Sequence, residues 1–363
     1  MNDNKFSWYP TETSDLKFPY SSYISIKKKD NKIHVKLNNP AANMQTDAAS
    51  FESIALMCRC IDPGCKVEID FALSGWEETI DKKKVVSKGW NGEFGKKSSK
   101  SNAYLRFLYR AGIFKHSFDW VSFSDVALAE VVRFAALLAN SLCSNNIPYR
   151  MAEYNKDRTG EYAIEYKLAH SQKGKRYLND VYYEKAKKRL RLETINNQLP
   201  NGLFTINTSG VPNEENRIFT TGAYDIWAID EDGYFCVFEL KKESGNEKLG
   251  IVSELFFYAT YAHDVLLNKN RLHEPKLNYR GYGELFAAVQ ENRLKGVKAF
   301  FLLAEDGMHK YIDKAKLLNE LNRNMLCIPF DFLCYDPNVI NGIFTDEVNE
   351  GVKIKSKTAG AAQ

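Results

Sequence analysis

The 363-residue sequence lacks the motifs that mark several large classes of enzyme. It contains neither a GxxxxGKS/T loop nor a GxGxxG turn, so hydrolysis of a nucleoside triphosphate is not expected. Its six histidines form no HExxH pair, and no serine stands in a nucleophile-elbow context with a matching histidine and aspartate. No internal repeat divides the chain.

Features of a secreted or membrane-embedded protein are also missing. No secretory signal is recognisable, and no apolar run approaches the roughly 18 residues that span a membrane. The seven cysteines include a C-x-C-x4-C group at Cys58, Cys60 and Cys65, a spacing that is not typical of zinc sites. We therefore expect a cytoplasmic protein that does not contact membranes and whose cysteines are buried free thiols.

One short segment carries the strongest signal in the chain. Residues 223–242 read AYDIWAIDEDGYFCVFELKK, in which two apolar runs flank an acidic turn. The turn at 231–233 suits a three-residue hairpin loop, with Gly233 in the left-handed conformation that closes it. That loop length places Asp225 opposite Glu239, whereas a loop one residue shorter or longer would put the two acids on opposite faces.

The alternation of side chains along each strand extends this prediction. Lys241 shares a face with Glu239 while Leu240 points the other way, and Trp227 pairs with Val237 in the same register. Both faces of the hairpin are otherwise apolar, which is typical of central strands covered on both sides. The sequence therefore predicts two carboxylates and an amine together at the end of a buried hairpin.

Two carboxylates beside an amine suit a metal-assisted phosphodiester hydrolase. Mg²⁺ prefers hard oxygen ligands and retains several waters, so two carboxylates hold it and leave positions for phosphate and water. The metal lowers the pKa of a bound water, and a nearby ammonium can orient that water or stabilise developing charge. The structural alternative is a solvated pair of strand ends, in which Glu239 merely neutralises Lys241 and Lys242.

The segment resembles the core of the PD-(D/E)xK, or restriction-endonuclease-like, nuclease superfamily. The resemblance implies that Asp225 and Glu239 bind Mg²⁺ or Mn²⁺ with help from the carbonyl of Leu240. It also implies that Lys241 positions or activates the attacking water. The sequence departs from the family pattern just before the first acid, where the usual proline or glycine is missing. The resemblance covers residues 155–340, a little over half of the chain.

The resemblance further implies a carboxylate on a helix that precedes the first core strand. We place that strand within 198–210, after two predicted helices at 160–171 and 180–197. Glu165 is the preferred candidate because it lies beside the apolar stripe of its helix, and Glu193 is the alternative. The sequence alone does not decide between them.

Downstream of the hairpin the sequence predicts further core elements. Residues 248–267 form a buried helix on which Glu254 and Tyr258 lie one turn apart. Related nucleases carry a polar side chain beside the metal at a similar place. Buried strands are expected at 296–306 and 327–336, with a lysine-rich helix between them.

Basic residues are clustered although the net charge is only +4. One cluster with interleaved tyrosines occupies 173–191, and another surrounds Trp90 at 82–100. Such groups supply sequence-independent phosphate contacts that weaken with salt, and the aromatic rings can stack on bases. The alternative for each cluster is a solvated surface.

The first 150 residues contain no catalytic constellation. We expect them to form a separate α+β unit that serves target recognition, binding of a protein partner or homo-oligomerisation. The predicted elements are a two-stranded β segment at 23–38 that turns at Asp30-Asn31, helices at 46–61, 101–114 and 124–146, and a strand at 65–73.

These observations predict an α/β protein. An N-terminal α+β domain at 1–150 precedes a restriction-endonuclease-like core at 151–350, a mixed central sheet flanked by helices, and a loose tail at 351–363. The leading hypothesis is a Mg²⁺-dependent endonuclease that acts on DNA in preference to RNA and resembles phage-defence or restriction components. One alternative is a catalytically silent nucleic-acid-binding or scaffold protein that retains this fold. Another is a nuclease that stays silent until a partner or ligand engages the N-terminal domain.

Overall fold

The architecture is known from a computed structural model. It describes residues 23–44, 49–73, 99–139, 143–145, 160–205, 217–242, 249–267, 272, 274, 279–305 and 316–343. In chain order the elements are β1 (Ile24–Lys29), β2 (Lys32–Leu37), α1 (Phe51–Ile61), β3 (Lys66–Phe71), α2 (Ser99–Ser117), β4 (Val121–Phe123), α3 (Asp125–Ala139), β5 (Cys143–Asn145), α4 (Glu161–His170), α5 (Gln172–Ala186), a 3-10 turn (Leu192–Thr194), β6 (Asn196–Thr205), β7 (Arg217–Ile229), β8 (Tyr234–Lys241), α6 (Gly250–Leu267), α7 (Tyr282–Gln290), β9 (Gly296–Ala304), α8 (Lys316–Leu321) and β10 (Phe330–Tyr335).

The N-terminal strands form a four-stranded sheet with one buried face. The order is β1-β2-β3-β4, with β1 antiparallel to β2 and the remaining neighbours parallel. Ile33, Val35 and Leu37 of β2 are fully buried, whereas His34 between them reaches the Glu68 carboxylate on β3 at 2.9 Å. The period of two thus separates an apolar inner face from a polar outer face.

A six-stranded mixed sheet forms the rest of the framework. Its order is β10-β9-β8-β7-β6-β5, with β8, β9 and β10 parallel and the other neighbours antiparallel. Trp227 and Val237 pack into a core shared with α1, α2 and α6. Ile226 and Phe238 pack into a second core with α4 and α5. The predicted mixed sheet flanked by helices is therefore confirmed.

The β7–β8 hairpin has the register that its loop length predicts. Trp227 pairs with Val237, and Gly233 adopts a φ of +89° in the turn. A Cβ at Gly233 would lie 2.5 Å from a backbone carbonyl oxygen, so glycine is required for space as well as for conformation. Continuing the register by one residue puts Asp225 opposite Glu239.

The two sheets are joined by buried contacts. Ser53 on α1 and Ser253 on α6 share a hydrogen bond of 2.7 Å, and the backbone N–H of Ser253 donates to the Ser53 hydroxyl at 2.9 Å. Tyr109 on α2 donates to Asp264 on α6 at 2.6 Å. The short strand β5 also pairs with β6, so residues before 150 contribute an edge strand to the second sheet. The division of the chain at residue 150 stays a prediction.

Two predicted helices end earlier than expected. The helix predicted at 124–146 ends at Ala139, and β5 follows it because its backbone pairs with β6. The helix predicted at 180–197 ends at Ala186, and Lys187 caps it with a φ of +53°. Leu190 then forms a bridge with Asp230 of the hairpin, so a tertiary pairing replaces further helix.

Other predicted elements agree closely or fall outside the described residues. The hairpin at 23–38 turns at Asp30, which has a φ of +53°. The helix predicted at 46–61 is described from Phe51, and its predicted cap at Thr46 or Asp47 lies outside the described residues. The tail at 351–363 also lies outside them. No helix in the described part of the chain has the length and apolarity that crossing a membrane requires.

Candidate active site

A row of polar side chains crosses three strands at the open end of the β7–β8 hairpin. In the registers of β6, β7 and β8, Gln198, Asp225 and Glu239 lie side by side. One Asp225 oxygen accepts a hydrogen bond of 3.0 Å from the backbone N–H of Leu240. The two acids predicted to meet therefore do so on one side of the sheet, and Asp225 is anchored to the neighbouring strand.

Lys241 joins this row and contacts carboxylates from three elements. Its ammonium lies 2.6 Å from Glu239 on β8, 3.7 Å from Glu254 on α6 and 3.9 Å from Glu161 on α4. The Glu239 side chain is 1% exposed and that of Lys241 is 12% exposed, so these charges interact with little water between them.

Glu165 reaches the site from α4. Its side chain is buried and accepts a hydrogen bond of 2.6 Å from the Gln198 amide. Arg280 donates to the backbone carbonyl of Gln198 from the other side. Both Gln198 and Arg280 have positive φ values, +53° and +51°, which non-glycine residues adopt at an energetic cost. Such strain persists where the surrounding structure demands it, and functional sites are where it concentrates.

Glu193, the alternative to Glu165, lies elsewhere. It is exposed, and its neighbour Thr194 accepts a hydrogen bond of 2.8 Å from the backbone of Ile229. Ile229 is four residues from Asp225 along β7, a distance of about 13 Å in a strand. The structure thus brings Glu165 to Asp225 and leaves Glu193 near the turn end of the hairpin.

The helix after the hairpin closes the site from the opposite side. Tyr258 on α6 is 5% exposed and donates to Glu254 at 3.5 Å. A Cβ at Gly222 on β7 would lie 2.9 Å from the Tyr258 hydroxyl, so the helix packs tightly on the strand. Tyr261, one turn further on, instead donates to the carbonyl of Gly202 at 2.7 Å and supports β6.

Burial, followed by an excess of negative charge, sets the electrostatics of the site. Burial raises the pKa of Asp225 to about 7, with Lys241 opposing the shift and Glu254 adding to it. Burial and then the Asp225 charge raise the pKa of Glu165 to about 8, and the same two causes raise the pKa of Glu239 well above its ordinary value. Burial lowers the pKa of Lys241, but the carboxylates outweigh it and the net shift is upward. The cluster favours added protons or cations.

The donor chemistry fits a hard divalent cation although no ligand set is preassembled. Among the described residues, no three His, Cys, Asp or Glu side chains are arranged to hold a metal ion. The Lys241 ammonium lies among the carboxylates instead. One Glu239 oxygen is nevertheless buried without a hydrogen-bond partner. Mg²⁺ prefers hard oxygen ligands such as carboxylates. The site offers the carboxylates of Glu161, Glu165, Asp225, Glu239 and Glu254.

The C-terminal end of the first basic cluster does not lie at this site. Lys188 pairs with Asp232 in the hairpin turn at 3.1 Å, and Arg189 pairs with Asp180 at 2.7 Å. These cations are therefore partly neutralised and sit at the opposite end of the hairpin from Asp225. Residues 82–98 of the second cluster lie outside the described residues.

The six cysteines whose side chains are described take no part in the site. The C-x-C-x4-C group packs against the first core, and burial raises the pKa of the Cys60 thiol to about 12. The prediction of buried thiols is confirmed for part of the set. Cys58, Cys65 and Cys236 are buried, Cys60 and Cys334 are half-buried, Cys327 is exposed, and all six are free.

No family model matches the chain, and neither a curated protein nor a solved structure matches it. Functional inference therefore depends on the geometry and chemistry of the site itself.

Proposed function

We propose that this protein is a divalent-cation-dependent nuclease of the PD-(D/E)xK type that hydrolyses phosphodiester bonds. The observation that carries the proposal is the convergence of Asp225, Glu239 and Lys241 at one end of a buried hairpin. The order of elements supports it, since a helix, α6, and a parallel strand, β9, follow the hairpin as that type of core requires. Glu165 adds a carboxylate from a helix upstream of the first core strand.

The residues of the site have distinct roles in this proposal. Asp225, Glu239 and the backbone carbonyl of Leu240 would hold Mg²⁺ or Mn²⁺, which when bound supplies Lewis acidity and a more acidic water. Lys241 presents N–H donors beside Glu239, where they can orient the attacking water and stabilise charge that develops on the phosphoryl oxygens. Glu165 adds a carboxyl group on the α4 side of the site, and a bound cation would favour its ionised form.

We infer DNA as the substrate and restriction or phage defence as the role from the resemblance to restriction-type nucleases. We infer the cytoplasm as the compartment from the free thiols. Residues 1–150 would recognise the target, bind a partner or mediate self-association. The joined cores of the two sheets support a unit that acts together with the nuclease core rather than at a distance from it.

Cleavage assays on isosteric variants test the chemistry. Asp225→Asn and Lys241→Met should each lower the cleavage of plasmid and single-stranded DNA in Mg²⁺ or Mn²⁺ by at least about 100-fold. Asp232→Asn is the matched control, because it changes an acid on the same hairpin at the distant turn. Wild-type rates for the Asp225 and Lys241 variants would end the assignment.

The second candidate is a catalytically silent nucleic-acid-binding protein. The position of the Lys241 ammonium among the carboxylates favours it, because an ammonium there neutralises charge without any metal. Salt-sensitive DNA binding by the wild-type protein, with no metal-dependent cleavage, would identify this case.

A further inference from the structure

The carboxylates at the site outnumber the cations that face them. Among the described residues, five acidic side chains surround one ammonium, so a formal charge of −4 is left when all are ionised. A divalent cation would reduce this to −2, and a phosphodiester approaching the site is itself an anion. Binding of nucleic acid, on which this inference rests through the proposed function, therefore calls for another cation close to the site.

Arg106 is placed to supply that cation. It lies on α2, which packs against β7. One turn later on the same helix, Tyr109 donates to Asp264 of α6 and packs edge-on against Tyr261, at 6.0 Å between ring centroids. This packing aligns α2 beside α6. Arg106 accordingly lies near the beginning of α6, close enough to Tyr258 and Glu254 for the Glu254 charge to favour its ionised form.

The Arg106 guanidinium is half-buried yet makes no hydrogen bond or ion pair with another described residue. Arg110, the next turn along, shows the contrast. Its guanidinium donates to both oxygens of Glu52, at 2.8 and 2.5 Å, and to the carbonyl of Ala49. Burial, and then the charge of Arg110, lower the pKa of Arg106. No Arg106 nitrogen is among the buried atoms that lack a partner, so solvent reaches the guanidinium and it is open to an acceptor from outside the chain.

We propose that Arg106 binds a phosphate of the nucleic-acid substrate at the α6 side of the site. A guanidinium can donate two parallel hydrogen bonds to phosphate oxygens, which fits an anion held between Arg106 and the metal-binding acids. The active site is then built from both parts of the chain, with α2 contributing the phosphate contact and β7 and β8 the acids. This gives residues 99–117 a direct role in substrate binding.

Three variants of the full-length protein test the contact. Arg106→Met removes the charge and keeps most of the bulk, and Arg106→Lys keeps the charge without the two-pronged donor. Lys115→Met is the matched control, since it removes a cation nine residues further along the same helix, about 14 Å away. We expect kcat/KM on a short DNA duplex with Mn²⁺ to fall about 100-fold for Arg106→Met. It should fall about 10-fold for Arg106→Lys and change less than 2-fold for Lys115→Met.

Binding and stability measurements separate this proposal from the nuclease assignment. With Ca²⁺ in place of Mn²⁺, Arg106→Met should weaken binding of the same duplex and reduce the salt slope by about one. Its unfolding midpoint should stay unchanged or rise, because a half-buried unpaired charge is removed. If the wild type binds but does not cut, the nuclease assignment fails while a binding defect in Arg106→Met still supports the contact. Binding and cleavage by Arg106→Met equal to those of Lys115→Met would overturn it.

Discussion

The two ends of the β7–β8 hairpin each bury an acidic side chain, and they treat it in opposite ways. At the turn end, Asp230 is fully buried and both of its oxygens are satisfied. One accepts from Lys298 at 2.7 Å and from Tyr182 at 2.9 Å, and the other accepts from the backbone of Tyr234 at 2.8 Å. One carboxylate here meets one ammonium and two further donors.

At the open end, the acids exceed the donors. Glu239 shares the single ammonium of Lys241 with Glu254 and Glu161, and one of its oxygens has no hydrogen-bond partner. Buried polar groups in folded proteins are normally satisfied, so a satisfied acid indicates a structural role and an unsatisfied one indicates a ligand still to come. Asp230 and Glu239 are both buried in the same hairpin and the same sheet, so they differ mainly in their hydrogen-bond partners.

The largest expected effect is on folding stability, and it differs in sign between the two ends. Asp230→Ala should lower the free energy of unfolding by about 3 kcal/mol, because it leaves the half-buried Lys298 ammonium without its carboxylate partner and two other donors without their acceptor. Asp225→Asn should leave the metal-free protein as stable as the wild type or make it more stable, because it removes one repelling charge. Chemical denaturation in EDTA measures both values.

A matched polar variant refines that measurement. Asp230→Asn keeps the shape of the side chain and the acceptor for Tyr234 but removes the charge. Its free energy of unfolding should therefore lie between that of Asp230→Ala and that of the wild type. A destabilisation of Asp225→Asn as large as that of Asp230→Ala would contradict the contrast, since it would make both ends structural.

The next effect is a dependence of stability on pH that arises at the open end. The folded pKa values of Asp225 and Glu165, about 7 and 8, lie above their ordinary values of 3.8 and 4.5. The folded protein therefore holds protons that the unfolded chain has already released. The free energy of unfolding should fall by several kcal/mol in EDTA as pH rises from about 4 to 8.

Two further experiments test whether that pH dependence arises at the site. Glu165→Gln should flatten the slope, because the substituted side chain no longer titrates. Saturating Mn²⁺ should also flatten it, because a bound cation favours the ionised carboxylates at every pH. A slope that persists unchanged in both experiments would place its origin outside the site.

The hairpin could be predicted from sequence because its determinants are local. The three-residue loop and Gly233 set the register, and the register puts Asp225, Glu239 and Lys241 together. The helix that carries Glu254 was predictable for the same reason, since its apolar periodicity is continuous.

The rest of the site depends on tertiary structure that no local pattern contains. Gln198 stands at the start of the predicted first strand, but its contact with Glu165 requires a positive φ and the packing of α4. Glu193 lay within a helix predicted at 180–197, but that helix ends at Ala186. The bridge between Leu190 and Asp230 then holds Glu193 near the turn end of the hairpin, away from Asp225. Helix ends and non-local pairings are the features that local patterns determine least well.

A smaller effect is expected at Gln198, which links the strained backbone to the acids. Gln198→Leu removes the amide that donates to Glu165 while keeping similar bulk, and cleavage should fall about 10-fold. Gln198→Gly removes the same amide but accepts the positive φ, so it should be about 1 kcal/mol more stable than the Leu variant. Cleavage kinetics and thermal unfolding of the pair separate the role of the amide from that of the strain. Equal activity in both variants and the wild type would remove Gln198 from the site.

The smallest effect is expected from the basic cluster at the turn end. Lys188 and Arg189 are held by Asp232 and Asp180 on the surface, and exposed ion pairs of this kind contribute about 0.2–1 kcal/mol. Lys188→Ala and Arg189→Ala should therefore change cleavage and DNA binding less than 2-fold, measured beside Arg106→Met at the same ionic strength. A loss as large as that of Arg106→Met would mean that nucleic acid extends along the hairpin to its turn. The two ends would then differ in how their acids are satisfied but not in whether they serve the substrate.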